Sequence, residues 1–280
     1  MHTFDTPGPV QLRASLGAGD LDIQARDTAE TTVELSPAND HGARHDVLAA
    51  ATVEQRGNEI VIDVPSRSSG AFGRSPEIGV SVLVPSGSDL MLRTRSADIA
   101  ATGTFGEASV ETGSGDVRLG TFTGDVRLRA GSGDLAVDEV RGSLRAESGS
   151  GDINVHEVAG AATVTSGSGD ISIDRVGGEA KLSSGSGDIV VEDAVAGLSA
   201  NSASGDVQVL GVRQGRVRAN TASGDVHVGV LGGVSAWLDV TTVSGDMHSS
   251  LERIEQPGDE EGTVQLHIST VTGDITLVRT

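Results

Sequence analysis

The chain has 280 residues, among them 39 glycines, four phenylalanines, one tryptophan, no tyrosine and no cysteine. Its 40 acidic and 20 basic residues leave a net charge of -20, which repels phosphate backbones, and base-stacking aromatic side chains are scarce, so nucleic-acid binding is excluded. The lack of cysteine excludes disulfides, thiolate metal sites and a cysteine nucleophile. An apolar fraction of 36% still favours a folded chain over a disordered one.

The first ninety residues predict β-strands without a regular repeat. In Gly19–Ile23 a turn is followed by alternating apolar residues, which is typical of a strand. Further strands are expected at Thr31–Leu35, Ala51–Gln55, Glu59–Val64, Ile78–Val84 and Asp89–Thr94. No basic n-region or apolar h-region opens the sequence, and no stretch approaches about 18 apolar residues. We therefore expect a soluble, cytoplasmic protein without membrane insertion.

From about residue 98 onward the triplet Ser-Gly-Asp recurs through the chain. The aspartates of seven successive units, the first in the variant Ser-Ala-Asp, are spaced 18 residues apart and are Asp98, Asp116, Asp134, Asp152, Asp170, Asp188 and Asp206. The series continues at longer steps to Asp225, Asp246 and Asp274. Such a fixed period indicates a repeat architecture.

Each unit of the repeat predicts two short strands. After Asp152, the apolar residues Ile153 and Val155 alternate with polar neighbours, and Ala162 and Val164 do the same in a second strand. Glycine-rich turns separate the strands, and no segment has helical periodicity. Two strands cannot bury their apolar faces alone, so the units must stack in parallel register with a rise of about 4.8 Å.

The sequence therefore predicts an all-β protein built as a parallel β-solenoid, or β-helix, with two strands per 18-residue rung. Residues 1–90 are expected to form irregular β-rungs that cap it, because an open end rung is an unpaired edge. Residues 91–280 carry the regular repeats, and the two parts are expected to make one continuous domain. The last rung, around Gly273–Val278, has no sequence after it to cover it.

The stacked aspartates are the candidate metal site. Like charges about 4.8 Å apart repel, and calcium, which binds carboxylate oxygens, would relieve the repulsion. The residues of this hypothesis are Asp116, Asp125, Asp134, Asp152, Asp170, Asp188 and Asp206. We prefer the alternative that each aspartate accepts turn N–H groups in an Asx-turn, because glycine and aspartate are adjacent here, unlike in glycine-rich calcium β-rolls. No metal and no cofactor are therefore expected.

Other candidate residues favour structural roles. The serine column Ser114, Ser132, Ser150, Ser168, Ser186 and Ser204 is expected to face inward as a hydroxyl ladder, since a serine nucleophile needs a helix and a histidine partner. The loop with Asp40, His41, His45 and Asp46 is interpreted as solvated, because a zinc site needs three or four fixed ligands. Trp237 is expected to fill a widened C-terminal rung, with a ligand platform as the alternative.

The iterated Ser-Gly-Ser-Gly-Asp-Ile-x-Val units, together with the lead Phe4–Pro7 and the segment Gly19–Ile23, resemble the DUF4097 family of β-strand repeat proteins. The resemblance covers roughly Val10 to Thr280. It implies a repeat architecture and the family label of putative adhesin, which in turn implies surface exposure. It implies no catalytic residues.

We expect a non-catalytic structural or protein-interaction module of the adhesin type. A calcium-binding β-roll-like module is the alternative. A β-helical enzyme acting on polysaccharide is less favoured, because rungs of constant length leave no room for a loop-built pocket. A hexapeptide acyltransferase is disfavoured because the aliphatic residues lack a six-residue period. The protein partner is unknown, and self-association through the uncovered rung at Gly273–Val278 is the hypothesis for assembly.

Overall fold

The computed structural model describes residues 1–37, 51–65, 77–251 and 263–280. Within these ranges all regular secondary structure is β-strand, and no helix is long and apolar enough to span a membrane. The contacts divide the chain into two compact units, Met1–Gly142 and Ser143–Thr280.

The first unit contains the strands that the irregular N-terminal pattern predicts, followed by the first regular repeats. Its strands are β1 (His2–Asp5), β2 (Gln11–Arg26), β3 (Glu30–Pro37), β4 (Thr52–Arg56), β5 (Glu59–Asp63), β6 (Ile78–Pro85), β7 (Asp89–Phe105), β8 (Ala108–Ser114), β9 (Val117–Phe122), β10 (Val126–Ser132) and β11 (Leu135–Val140).

Strand β2 lies between strands that follow it in the sequence. It pairs in parallel with β7 along most of its length, from Gln11 opposite Asp89 to Gln24 opposite Thr102. On its other side, its first half pairs with β5 and its second half with β6, both in parallel. Beyond β7 the rungs follow sequence order, with β8 and β9 on β7, β10 on β8 and β11 on β9.

Antiparallel strands cover the outer side of the β5 and β6 rung. Strand β3 pairs with β6, β1 pairs with β3, and β4 pairs with β5. The inward side chains of Ile60 and Ile62 in β5 are fully buried as a result. That residues 1–90 serve as the cap of one continuous domain stays a prediction.

The second unit consists of regular rungs. Its strands are β12 (Leu144–Ser150), β13 (Ile153–Val158), β14 (Ala162–Ser168), β15 (Ile171–Val176), β16 (Ala180–Ser186), β17 (Ile189–Ala194), β18 (Leu198–Ser204), β19 (Val207–Val212), β20 (Gly215–Ser223), β21 (Val226–Val230), β22 (Ser235–Ser244), β23 (Met247–Ser249), β24 (Thr263–Thr272) and β25 (Ile275–Arg279).

Alternate strands pair in parallel and form two faces. The even strands β12 to β20 make one face and the odd strands β13 to β21 make the other. The register follows the repeat, because Ile153 lies opposite Ile171 and Ile171 opposite Ile189. All three side chains are fully buried. The predicted parallel solenoid with two strands per 18-residue rung is confirmed.

The last rung in the sequence is not the last rung of the stack. Strand β24 pairs with β20 on one side and β22 on the other, and β25 pairs with β21 and β23. The expectation that Gly273–Val278 is an uncovered edge is therefore wrong. Among the described residues, the rung β22/β23 occupies the end instead.

The relative apolarity of the two rungs explains this order. Strand β24 turns Val264, Leu266 and Ile268 inward, and β25 adds Ile275 and Leu277. The residues of β22 opposite the first three are Ala236, Leu238 and Val240, and those of β23 opposite the last two are Met247 and Ser249. An inner rung is covered on both sides, so the rung with more apolar surface gains more free energy from that place.

We predict that Gly205→Ala destabilises the protein strongly. Gly205 has φ of +155°, and a Cβ there would lie 2.2 Å from the carbonyl oxygen of Gly187 in the neighbouring rung. Backbone strain and the clash together should lower the free energy of unfolding by about 2 kcal/mol or more. Gly232→Ala is the control, because the nearest atom to its Cβ would be 3.8 Å away. Thermal unfolding followed by circular dichroism measures both, and equal melting temperatures would contradict the prediction.

Candidate functional site

The predicted aspartate column exists, and hydrogen bonds between rungs hold it together. In the first unit, the backbone N–H of Asp116 donates to Asp98 Oδ1 at 2.9 Å, and that of Asp134 donates to Asp116 Oδ1 at 3.1 Å. In the second unit the same bond, at 2.7 to 2.9 Å, links each neighbouring pair of the series Asp152, Asp170, Asp188, Asp206, Asp225, Asp274 and Asp246.

This geometry modifies the Asx-turn interpretation. The carboxylate accepts a backbone N–H, as expected, but the donor belongs to the next rung and not to the same turn. Because the acceptor is ionised, each such bond is stronger than a neutral one, and it offsets part of the like-charge repulsion along the column. One oxygen of each accepting carboxylate thereby helps to hold the stack together.

Asp125 lies apart from this column. It follows β9, whereas Asp116 follows β8 and Asp134 follows β10, so Asp125 belongs to the other turn of the rung. In the part of the chain that the structure describes, no three histidine or acidic side chains are grouped closely enough to hold a metal ion. Calcium binding by the ladder stays a hypothesis.

The serine column is not where it was expected. Ser114, Ser150, Ser168, Ser186 and their equivalents end their strands and are exposed. The buried hydroxyl groups lie two residues earlier, at Ser148, Ser166, Ser184, Ser202, Thr221 and Thr270. Ser184, Ser202, Thr221 and Thr270 each donate to a glycine carbonyl in the turn of the neighbouring rung, as Ser184 Oγ does to Gly169 at 3.2 Å. These four hydroxyl groups tie a strand end to the neighbouring turn, whereas the buried hydroxyl groups of Ser148 and Ser166 have no hydrogen-bond partner among the described residues.

The loop residues Asp40, His41, His45 and Asp46 lie outside the described residues. Several exposed histidine and arginine side chains in the described residues contact carboxylates. His156 contacts Asp174 at 2.7 Å, and Arg118 contacts Asp116 at 3.5 Å. Arg213 makes a bidentate contact with the carboxylate of Asp193. The hydrogen bond and the negative charge of Asp193 raise the pKa of Arg213.

The first unit carries a shallow groove of about 460 Å³ on its outer surface. It lies where the pairing of β7 with β9 shifts register between Ala101 and Thr104. Small residues, among them Gly103 and Gly120, line it together with Arg118 and Asp138. The groove is open, and its lining contains no histidine, serine or cysteine nucleophile.

Trp237 does not fill the core. It is 55% exposed and points outward from β22, opposite Gln265 of β24. Its indole lies 5.4 Å from the His267 ring at an angle of 58°, and His267 Nδ1 is 3.2 Å from Asp239 Oδ2. Phe105 and Phe122, in contrast, are buried and stacked on each other. The expectation that Trp237 fills the rung is therefore wrong, and the alternative of a ligand platform stays a hypothesis.

Exposed apolar side chains gather on the same two rungs. Leu238 is 39% exposed and Met247 56% exposed, although both occupy inward positions of the end rung. Val243 and Val271 are 77% and 53% exposed on the outside of neighbouring strands. Apolar patches of this kind mark interaction sites in soluble proteins.

The family model described as Toastrack DUF4097 matches residues 11–177 and, a second time, residues 143–278. The chain belongs to this family. The two matches overlap within the regular repeats, as expected when the same repeat pattern continues along the chain. The predicted resemblance is confirmed.

Solved structures similar to this DUF4097 protein share little sequence with it. A protein described as a putative adhesin from Bacteroides fragilis is 12% identical, with a TM-score of 0.41 and coverage of 100% of this chain and 95% of the other. A putative cell adhesion protein from Clostridium sporogenes is 11% identical, with a TM-score of 0.21 and coverage of 100% and 98%. A putative lipid binding protein from Parabacteroides distasonis is 13% identical, with a TM-score of 0.34 and coverage of 100% and 95%. No curated protein matches the chain significantly.

Two different replacements of one ladder aspartate should distinguish the contribution of its hydrogen bond to stability from the contribution of its charge. Asp188→Ala removes the acceptor of the Asp206 N–H and should lower the free energy of unfolding by about 1 kcal/mol. Asp188→Asn keeps an oxygen acceptor and removes repulsion with both neighbours, so we expect little change. Urea unfolding at low and high salt measures both variants. Equal losses for alanine and asparagine would mean that charge, and not the hydrogen bond, holds the column.

We further predict that calcium has little effect on stability, because the accepting carboxylates of the column, Asp170 among them, already have one oxygen bound to an N–H. Melting curves in excess calcium and in excess chelator should nearly coincide. Ligand binding at a hundredfold excess over Kd stabilises a fold by about 2.7 kcal/mol, so a calcium site would shift the melting temperature by several degrees. Such a shift, lost in Asp170→Asn, would establish the ladder as a calcium site.

Proposed function

We propose that the chain is a non-catalytic structural and protein-interaction module of the adhesin type, whose docking edge is the end rung β22/β23. The observation that carries the proposal is the exposure of core positions on this rung. Leu238 and Met247 are 39% and 56% exposed, whereas their partners one rung inward, Leu266 and Ile275, are completely buried. A second rung laid on this end would bury them equally well.

The backbone of the end rung is also available for pairing. In the described residues β22 pairs with β24 alone, so its other edge presents unpaired N–H and C=O groups. Strand addition to such an edge is a general mode of protein recognition. A strand from a partner would satisfy these groups and cover Leu238 and Met247 in one step.

We commit to a second copy of this chain as the partner. Two identical ends can meet about a twofold axis with β22 antiparallel to its counterpart, which gives a closed, self-complementary contact. In the first unit the outer strands β1 and β4 are antiparallel to their neighbours, so they do not offer the parallel edge that head-to-tail stacking needs.

Size and charge predict a weak contact. Ten residues of β22 span about 33 Å, and two packed sheets are about 10 Å apart, so each end offers roughly 330 Å². Stable interfaces bury about 800 Å² per partner. A net charge of -20 on each copy adds repulsion. Association should therefore be concentration-dependent and promoted by salt, which screens this repulsion.

Sedimentation velocity at rising concentration and salt tests the proposal. We expect a monomer–dimer equilibrium that strengthens towards about 0.5 M salt and is abolished by Leu238→Lys. Leu210→Lys is the matched control, because Leu210 is 37% exposed on β19, away from the end rung. A strict monomer at high concentration, or a dimer that survives Leu238→Lys, would refute self-association through this end.

A further inference from the structure

The outer side of strands β20, β24 and β22 forms a polar face with one aromatic side chain, here called the Trp237 face. Register places Arg216, Gln265 and Trp237 in one row and Arg218, His267 and Asp239 in the next. These six side chains point to solvent, opposite to the buried residues of the same strands. They differ from the inward residues Leu238 and Met247 on which self-association depends.

The Trp237 face carries two arginine side chains, Arg216 and Arg218, that no carboxylate of the described residues contacts. Arg216 hydrogen-bonds only the neutral Gln265, through Nε and Nη2 at 3.2 Å each, and Arg218 has no hydrogen bond or ion pair within the described residues. Several other arginines of the unit contact carboxylates, as Arg145 does Glu147 and Arg213 does Asp193. The one carboxylate of the Trp237 face, Asp239, lies on β22 and contacts His267, so the two guanidinium groups on β20 form a local positive site on a chain of charge -20.

The polar side chains beside Trp237 are held in place by contacts with each other. Arg216 fixes the oxygen of Gln265, so the amide nitrogen of Gln265 is directed to donate elsewhere. Asp239 holds the His267 ring against the indole. Farther along, Ser269 donates to Asn220, which donates to Asn201. Fixed donors and acceptors beside an exposed aromatic ring reduce the entropy that binding must overcome.

We propose that the Trp237 face binds a short acidic oligosaccharide. One sugar ring lies with its C–H groups on the exposed indole, while a carboxylate on a nearby sugar is bound by Arg216 and Arg218. Strands β22 and β20 are two rungs apart, about 10 Å, which is the span of about two sugar rings. Guanidinium groups bind carboxylates through paired, charge-assisted hydrogen bonds, and Gln265 and Asp239 supply a donor and an acceptor for sugar hydroxyls.

The same observations disfavour other ligands on this face. Strand β24 is paired on both sides, so a peptide finds a free backbone edge only at β22, beside Trp237, and none beside Arg216 and Arg218. A nucleic acid or an anionic membrane presents extended negative charge to a chain of -20 and meets one aromatic side chain only. An isolated carboxylate between neutral sugars brings its charge to the two arginines without that general repulsion. The proposal goes beyond the self-association proposed above and does not depend on it.

Trp237 is the only tryptophan of the chain, so its fluorescence reports on this site directly. The probe is sialyllactose, which has one carboxylate on three sugars, and its methyl ester is the neutral control. We expect a saturable change in emission with sialyllactose and at least about tenfold weaker binding of the ester, the loss of one charge-assisted contact. Absence of a saturable change, or equal binding of acid and ester, would overturn the proposal.

Variants locate the binding. By calorimetry, Trp237→Ala should abolish it, and Arg216→Gln and Arg218→Gln should each weaken it about tenfold. Arg145→Gln, an exposed arginine of the same unit, should leave it unchanged. Binding should persist in Leu238→Lys, and its loss there would mean that the probe reports on self-association and would overturn the proposal. Tighter binding of a short acidic peptide than of sialyllactose would also overturn it.

Discussion

The close approach of successive turns is the constraint on which the rest of the structure depends. A Cβ on Gly187 or Gly205 would lie 2.3 or 2.2 Å from the glycine carbonyl oxygen of the neighbouring rung, so only glycine allows the rungs to stack at strand spacing. The aspartate that follows each glycine is then placed with its Oδ1 against the N–H of the next aspartate. This turn geometry therefore explains why both the glycine and the aspartate recur in every repeat. The parallel register of the strands follows from the same geometry.

The stacking of the rungs could be predicted from the sequence, because the fixed spacing of 18 residues determines the strand register and the period-2 alternation determines which side chains face inward. The order of the end rungs could not be predicted in this way. Thr221, Thr242 and Thr270 each lie four residues before a ladder aspartate. The three rungs that contain them therefore have the same local sequence pattern, and each could stack on either of the other two. Their order depends on the total apolar surface buried in each place, a property of the whole stack that a local pattern does not contain. The same holds for β2, which pairs with both β6 and β7.

Two expectations about the site, the burial of Trp237 and of the serine column, were wrong, although the local sequence contained the information needed to correct them. Ala236, Leu238 and Val240 alternate, so the residue between the first two must face outward, whereas the expectation that Trp237 fills the rung was based on the longer repeat there. Likewise Ser166 continues the alternation of Ala162 and Val164, whereas Ser168 lies at the strand end, where inward parity no longer means burial. For Trp237 and Ser166 alike, the alternation of inward and outward positions along the strand predicts the side-chain direction correctly, because successive side chains of a strand point to opposite faces. The hydrogen bonds of His267 and Arg216 depend on strands up to 49 residues apart and could not be predicted from local sequence.

Stability alone does not explain the end of the second unit. Terminal repeats of a solenoid normally carry a polar outer side, and in the first unit antiparallel strands bury Ile60 and Ile62 of an outer rung. The rung β22/β23 instead exposes Leu238, Met247 and Trp237. Nor do Arg216 and Arg218 serve the fold, because exposed charges contribute little to stability whether paired or not. At physiological salt the field of a charge is screened within about 8 Å, so the two guanidinium groups act only on a ligand that reaches this face. A chain that is acidic as a whole can thus repel polyanions at a distance and still bind a single carboxylate at close range.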